Sequence, residues 1–423
     1  MTRYVLIIIS FSIFTSCKRD FEAPVPDTGW DLFDSPAAVL LNNGTWQKME
    51  GMYTIEEGAD VFGAQTAAKW SYTVSASDTT YHLSLFCEKQ VSYFILEGKR
   101  RDSSILLNGY WRKMVNTETG KARFSITRAN GAGQLLDGAP LNQLDHVVIT
   151  GIFGNGENTP DQPISLNYQR RLDNATHLEI VAHRGGGSTA DLLPASENST
   201  AMIQLASRFG ATGVEIDVRM TSDGVPVLFH DATLNERLIQ KNGLLGPVEN
   251  YSYAQLNALV RLKNNEQIPT LVEALETVVY KTPLRYVWLD TKFKGSIQKV
   301  RDLQVAYMQK AAAIGRVLEI NIGIPDQEVL NNFLSLPDYQ NIPSVCELNT
   351  EDVVKVNARI WAPRWTLGLQ NEEVENMHAQ GRRVFVWTLD VPQNISEYMT
   401  QGRFNGILSN YPSIVAYYYY AQL

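Results

Sequence analysis

The chain has 423 residues, 44% hydrophobic and 19% charged, a globular composition on a length that calls for two cores. Its formal net charge of -8 argues against a nucleic-acid binder, which needs a basic surface, and against an anionic membrane held by charge alone.

Arg3 precedes an apolar stretch from Tyr4 to Phe14 that is too short to span a bilayer and ends in Phe14-Thr15-Ser16-Cys17. That ending resembles the lipobox of bacterial lipoproteins. The resemblance implies removal of residues 1–16, lipidation of Cys17, and an exported protein anchored in the cell envelope through that cysteine. A plain secretory signal with an incidental cysteine is the alternative, and it also takes the chain out of the cytoplasm. Residues 17–34, with Pro24, Pro26 and Gly29 and little periodicity, read as a flexible tether. Cys87 and Cys346 fall in different proposed domains, so two buried free thiols are expected.

Residues 35–172 follow period two. Trp70, Tyr72 and Val74 alternate with polar neighbours, as do Tyr81, Leu83 and Leu85, and later Ala122, Phe124 and Ile126. Turn residues such as Thr117-Glu118-Thr119-Gly120 separate the runs. This predicts an all-β domain, a sandwich or a barrel, with alternation alone unable to choose. Trp46, Trp70, Tyr110 and Trp111 suit a β core better than a ligand face.

Residues 176–423 change to strands alternating with amphipathic stretches. Eight strands are expected near Glu179–His183, Val214–Val218, Arg285–Lys292, Val317–Ile322, Ser344–Leu348, Ala358–Trp361, Arg383–Leu389 and Gly406–Leu408. Eight such units in this length predict an α/β fold, a TIM (β/α)8 barrel. Met202, Leu205, Ala206 and Phe209 have helical spacing and stop at Gly210, while Thr270 and Glu273 form a capping box. Val225–Phe229 follows the second strand across only four residues, too few for a parallel crossover, so it must fold back as a hairpin arm. That arm returns His230 towards the barrel mouth.

Charge collects at the ends of these strands. Glu215 and Asp217, two apart on one strand, point to the same side, and Asp290 and Lys292 do so on another. Carboxylates facing one way need a cation between them, and hard oxygen ligands suit Ca²⁺ or Mg²⁺. Arg184 and Lys292 make the pocket attractive to an anion, and His183 and His230 add proton transfer near neutral pH. Together they form a kit for cleaving a phosphate ester.

The ordered motifs His183-Arg184-Gly185, Glu197-Asn198-Ser199, Glu215-Ile216-Asp217, His230-Asp231, Ile268-Pro269-Thr270-Leu271, Val386-Trp387-Thr388 and Gly406-Ile407-Leu408 resemble the glycerophosphodiester phosphodiesterases, a TIM-barrel family. The similarity covers the barrel and none of the β-rich domain. It implies metal-dependent hydrolysis of a glycerophosphodiester to glycerol 3-phosphate and an alcohol. In that reading His183 and His230 are catalytic, and Glu215, Asp217 and Asp290 hold a divalent cation. Arg184 and Lys292 contact phosphate, Glu197 supports the site, and Trp387 forms a pocket wall. Asp290 stands where the family usually has Glu, a feature shared with spider-venom-type sphingomyelinase D barrels. Asn405 and Asn410 stand where it tends to have Asp, with altered helix capping or substrate contacts expected. Other phosphodiesters (a phospholipid headgroup, a teichoic-type polymer, a phosphosugar) are alternative substrates. A ligand-binding surface lipoprotein with a degenerate barrel is disfavoured, because every base, cation and carboxylate of the set is retained.

Overall fold

Between Gly51 and Arg170, strands rich in β-branched and aromatic residues alternate direction: Gly51–Ile55, Gln65–Ser75, Asp78–Cys87, Ser92–Arg101, Ser104–Lys113, Thr119–Ile126, Val148–Phe153 and Gln162–Arg170. Each pairs antiparallel with the next, and the last returns to the first through Tyr53↔Tyr168 and Ile55↔Leu166. The ring therefore closes as an up-and-down barrel, which leaves no bare sheet edge. The computed structural model describes residues 24–30, 38–76, 78–114, 117–137, 146–172 and 177–422. The expected leader, Cys17 and most of the tether lie outside them.

Alternation gives this barrel two apolar faces. Leu83, Leu85, Phe94, Leu96, Leu107 and Phe124 fill the inside, with Trp46 and Trp111 among them. Met52, Ala67, Phe86, Tyr93 and Ile95 face outwards and are buried against Phe209, Ile407, Val415 and Tyr417. Of the four aromatics singled out in the sequence, Trp46 and Trp111 are thus core residues. Trp70 is half-buried in a ring cluster with Tyr72 and Tyr81, and Tyr110 packs on the shared face.

Residues 24–30 depart from the tether reading. Asn108 Nδ2 donates to Thr28 O at 2.5 Å and Arg123 Nη2 to Gly29 O at 3.0 Å, so this piece is docked on the barrel. An irregular chain keeps its carbonyls free for such donors, and composition says nothing about whether donors await them.

The second sheet runs through Glu179–Ala182, Gly213–Met220, Tyr286–Thr291, Glu319–Ile324, Ser344–Cys346, Ile360–Trp361, Arg383–Val386 and Gly406–Ser409. Neighbours are parallel, and the last strand pairs with the first through Val181↔Leu408. Its fourth strand begins and ends two residues later than the sequence run, because Val317 is left in solvent, 89% exposed. Pro226–Leu228 folds back antiparallel on the second strand, Val218 opposite Leu228. Ser199 caps helix Thr200–Ala206, and the following turn stops at Gly210 (φ +90°). A Cβ on Gly210 would also come 2.8 Å from Phe86 Cζ of the first barrel, so this glycine permits both the turn and the contact. Thr270 and Glu273 make both bonds of a capping box on helix Leu271–Lys281. The closing helix, Pro412–Ala421, buries Tyr417 and Tyr420 of the tyrosine run. Cys87 and Cys346 are free and buried.

Inside the parallel barrel Val181, Tyr286, Trp288, Val345, Ile360, Phe385 and Leu408 pack together. On several strands the inward positions one or two steps further on turn polar, as at His183, Glu215, Asp290 and Asn410, which sets the site at the C-terminal rim.

Candidate active site

Register aligns the acidic groups. Glu215 pairs with Trp288 and Asp217 with Asp290, which brings three carboxylates from two adjacent strands together. One oxygen from each of Glu215, Asp217 and Asp290 lies within 4.8 Å of the others. Glu215 Oε1, Asp217 Oδ1 and Asp290 Oδ1 are buried and make no hydrogen bond. Lys292 pairs with Asp290 and stands 3.4 Å from Asp217 Oδ1.

One lysine does not neutralise three buried carboxylates, and the groups titrate accordingly. Burial pushes Glu215 well above the ordinary range, and Asp217 and Asp290 add to the shift. Burial also raises Asp290, against the pull of Lys292. Asp217 is held low, because Lys292, His230 and Asn198 outweigh its burial. A set of buried oxygens without hydrogen bonds, three carboxyls to one lysine, fits a hard divalent cation.

His183 follows the first strand in a tight turn, in which Arg184 adopts φ +54°. The backbone N–H of Arg184 donates to Glu215 Oε2 at 2.8 Å, fixing that turn to the carboxylates. His183 Nδ1 meets Asn410 Oδ1 at 2.8 Å, and Asn410 Nδ2 donates to Asp390 Oδ2 at 2.7 Å. Since an amide oxygen only accepts, Nδ1 carries the proton and Nε2 is free to take one. Nε2 points to the carboxylates, 3.8 Å from Glu215 Oε2. Burial, with Arg184 beside it, pushes His183 down to about 4, so the ring is neutral at pH 7.

The hairpin arm brings His230 to the same place, with Phe229 N bonded to Asp217 O at 3.0 Å. Arg184 Nη2 reaches His230 Nε2 at 3.1 Å, and His230 Nδ1 meets Asp231 Oδ1 at 2.7 Å. Burial opposes ionisation of Asp231, but bonds from Arg237, His230 and Asn235 hold its carboxyl well below the usual range. Glu197, 2% exposed, accepts from Arg184 Nη1 at 2.9 Å and from Thr189 N at 2.8 Å. Asn198 Nδ2 donates to Asp217 Oδ2 at 2.7 Å, while its own Oδ1 receives Asp217 N at 3.0 Å. Trp387 stands at the rim with the Arg364 guanidinium 4.7 Å from its ring centre.

Of the residues expected from sequence, Glu215, Asp217, Asp290, Lys292, His183, Arg184, His230 and Glu197 converge in one contact network, and Trp387 flanks it. Cys17 is outside the described residues. Asn410 holds a histidine ring rather than capping a helix. Asn405 Oδ1 receives Val384 N and faces His378 Nε2, both at 2.8 Å, so it ties a strand start to a helix end away from the site. Sequence reasoning missed Asp231 and Asn198 as partners, although both lie inside the motifs it quoted. It had no signal for Arg237 or Asp390. Glu347 was open to the argument applied to Asp290, a carboxylate closing an apolar strand.

Mouse glycerophosphodiester phosphodiesterase 1 is 44% identical over 103 residues, which span 23% of this chain and 29% of the relative. The first relatives are thus matched over less than a third of their length. A Bacillus altitudinis glycerophosphodiester phosphodiesterase is 24% identical over 253 residues, 55% of this chain and 95% of that one. Among solved structures, an Oleispira antarctica phosphodiesterase in complex with the product sn-glycerol-3-phosphate is 22% identical with a TM-score of 0.43. It covers 56% of this chain and 94% of its own. The glycerophosphoryl diester phosphodiesterase pattern runs from residue 183 to 414, from the first histidine of the site to the last helix of the barrel. With more than half of its length matched, the chain belongs to the glycerophosphoryl diester phosphodiesterase family.

Proposed function

We infer that the protein hydrolyses glycerophosphodiesters to glycerol 3-phosphate and an alcohol. The observation that carries this reading is the cluster of three buried carboxylate oxygens without a hydrogen bond, beside two histidines and two cations, inside the family segment. Glu215, Asp217 and Asp290 would hold a divalent cation, Ca²⁺ or Mg²⁺, which when bound supplies positive charge to the phosphoryl oxygens. Arg184 and Lys292 add theirs and orient the diester. His183 Nε2, free and neutral, takes the proton of the attacking hydroxyl. That hydroxyl is the neighbouring one on the glycerol, so a P–O bond forms to it as the bond to the alcohol breaks. Water then opens the cyclic phosphate. In the first step His230, oriented through Nδ1 by Asp231, protonates the departing oxygen after the diester draws the Arg184 guanidinium off Nε2; in the second it takes the proton of the water while His183 returns its own.

The test is glycerol 3-phosphate release from glycerophosphoethanolamine by the full chain in detergent, with Ca²⁺, Mg²⁺ or EDTA, beside His183→Ala. Metal-dependent release lost in the variant supports the assignment, and unchanged release in the variant overturns it. Failure to trap a cyclic phosphate by rapid quench would shift the attack to water. The lipid anchor at Cys17 belongs to the same reading and rests on the sequence of residues 3–17 alone. Loss of fatty-acid labelling in Cys17→Ala would support it, and persistence would remove it.

A further inference from the structure

Strand alternation carries one more carboxylate to the barrel rim. Glu347 follows the strand Ser344–Cys346 and donates its backbone N–H to Ile324 O at 3.1 Å, so it shares the inward side with Val345. Val345 pairs with Gly323, and Gly323 is level with Asp290, since Leu289 pairs with Ile322. Glu347 therefore stands one inward layer beyond the carboxylate cluster, with no side chain at Gly323 to screen it. The charged groups acting on it are Asp290, Lys292, Arg364 and Asp217, and burial raises its carboxyl well above the ordinary range.

Glu347 lines a cavity of about 350 Å³ together with Trp361, Pro363, Leu367 and Gln370. Its Oε1 is buried and makes no hydrogen bond, and the same is true of Gln370 Oε1. Arg364, the nearby cation, lies instead over the Trp387 ring. This cavity, joined to the carboxylate cluster through Glu347, thus has two buried oxygens on its wall that meet no protein donor, one on an amide and one on a carboxyl whose charge burial disfavours until a cation enters. An acceptor left without a donor is costly, so the ligand should bring several N–H or O–H groups and positive charge. A primary ammonium brings both. A quaternary ammonium has charge without donors, and a polyol has donors without charge.

We propose that Glu347 and Gln370 form the pocket for the departing alcohol and select one that bears a primary ammonium, as ethanolamine and serine do. The inference rests on the phosphodiesterase reading above. Arg364 flanks the same rim, where it can meet the carboxylate that serine carries and ethanolamine lacks.

The experiment compares kcat/KM of the full chain, with its divalent cation, on the glycerophosphodiesters of ethanolamine, serine, choline and glycerol. The expected preference for at least one primary amine over choline and glycerol is about tenfold, the scale of one charge-assisted hydrogen bond. In Glu347→Gln, which keeps the shape and cannot ionise against an ammonium, the ratio should fall towards one, and Gln370→Ala should reduce it about threefold. A ratio taken within one variant does not depend on how much of that protein folds. Serine leading ethanolamine, with the lead lost in Arg364→Ala, would identify the amino-acid headgroup as the source. Ethanolamine leading would identify the simple amine. A wild-type ratio near one, or a ratio that survives in Glu347→Gln, overturns the pocket. No cleavage of any of the four would overturn the phosphodiesterase reading and the pocket with it.

Discussion

Replacing Glu215 by Gln separates a metal site from a structural acidic cluster, because the two predict opposite signs. At 4.8 Å two like charges in a medium of effective dielectric ~20 repel by about 3.5 kcal/mol. Glu215 faces two such neighbours with Lys292 and the Arg184 N–H to offset them, and burial with those neighbours favours its protonated form in the metal-free cluster. Gln is the uncharged isostere of that state and can still accept the Arg184 N–H that now goes to Oε2. The metal-free variant should therefore melt at or above the wild-type temperature. With cation the order reverses. At a hundred times its dissociation constant the cation stabilises the wild type by about 2.7 kcal/mol, or roughly 5–10 °C for a barrel of this size. A hundredfold weaker site at the same concentration gains only about 0.4 kcal/mol, about 1 °C. Thermal unfolding of both proteins in EDTA and in millimolar Ca²⁺ or Mg²⁺ reads all four values. A wild type indifferent to cation, or a Glu215→Gln shift as large as the wild type's, would refute the reasoning.

Three further outcomes follow from particular contacts. Asn410→Ala removes the acceptor that fixes the His183 ring, and kcat/KM should fall about 10–100-fold with little change in melting temperature. An unchanged rate would remove the Asp390–Asn410–His183 relay from the mechanism. His82 is 1% exposed with neither ring nitrogen hydrogen-bonded and Glu97 Oε1 no nearer than 4.0 Å, and burial, reinforced by Arg208, lowers its pKa. The folded state therefore binds fewer protons than the unfolded one below pH ~6.5, where stability falls by up to about 1.4 kcal/mol per pH unit. Urea midpoints at pH 7 and pH 5 should show His82→Leu escaping about 2 kcal/mol of that loss, and equal losses in both proteins would contradict the burial argument. Arg112→Ala deletes two part-buried bonds from a charged donor, to Leu192 O at 2.9 Å and Asp191 O at 2.5 Å, for about 3 kcal/mol of stability. It should also raise KM, with Arg112→Lys intermediate; steady-state kinetics on the folded fraction would detect it, and a KM unmoved by either change would confine Arg112 to stability.

What could be read from sequence was local. Period two put Glu215 with Asp217 and Asp290 with Lys292 before any fold was known, and a four-residue link forced the arm that carries His230. Whether the β-rich part is a sandwich or a barrel depends on one pairing, Tyr53 with Tyr168, and alternation is the same in both cases. The partners that orient the site were harder to see, because they come from afar. Asn410 reaches His183 across 227 positions, and Arg112 reaches Leu192 across 80. A single sequence reports which side a residue faces; a contact between distant loops depends on how the elements assemble, which no local pattern encodes. Asn410 was noticed only as a departure from Asp, and its partner Asp390 not at all.

The link through Arg112 bears on why the antiparallel barrel is there. The loop after the first parallel strand must hold Arg184 in a left-handed turn and present Glu197 to its guanidinium, although loops are ordinarily the less stable parts of such barrels. Its far side is pinned from outside: Arg112 grips the carbonyls of Asp191 and Leu192, and Tyr411 OH donates to Asp191 Oδ1 at 3.0 Å. Thr189, two residues before, passes that restraint to Glu197 through a backbone bond at 2.8 Å. Arg112 lies on a strand whose own barrel shares an apolar face with the helix that ends the chain, so it cannot yield without disturbing that packing. The two barrels are coupled where Arg184, the proposed phosphate contact, needs rigidity, and on that reading the antiparallel barrel acts as a buttress even without binding substrate.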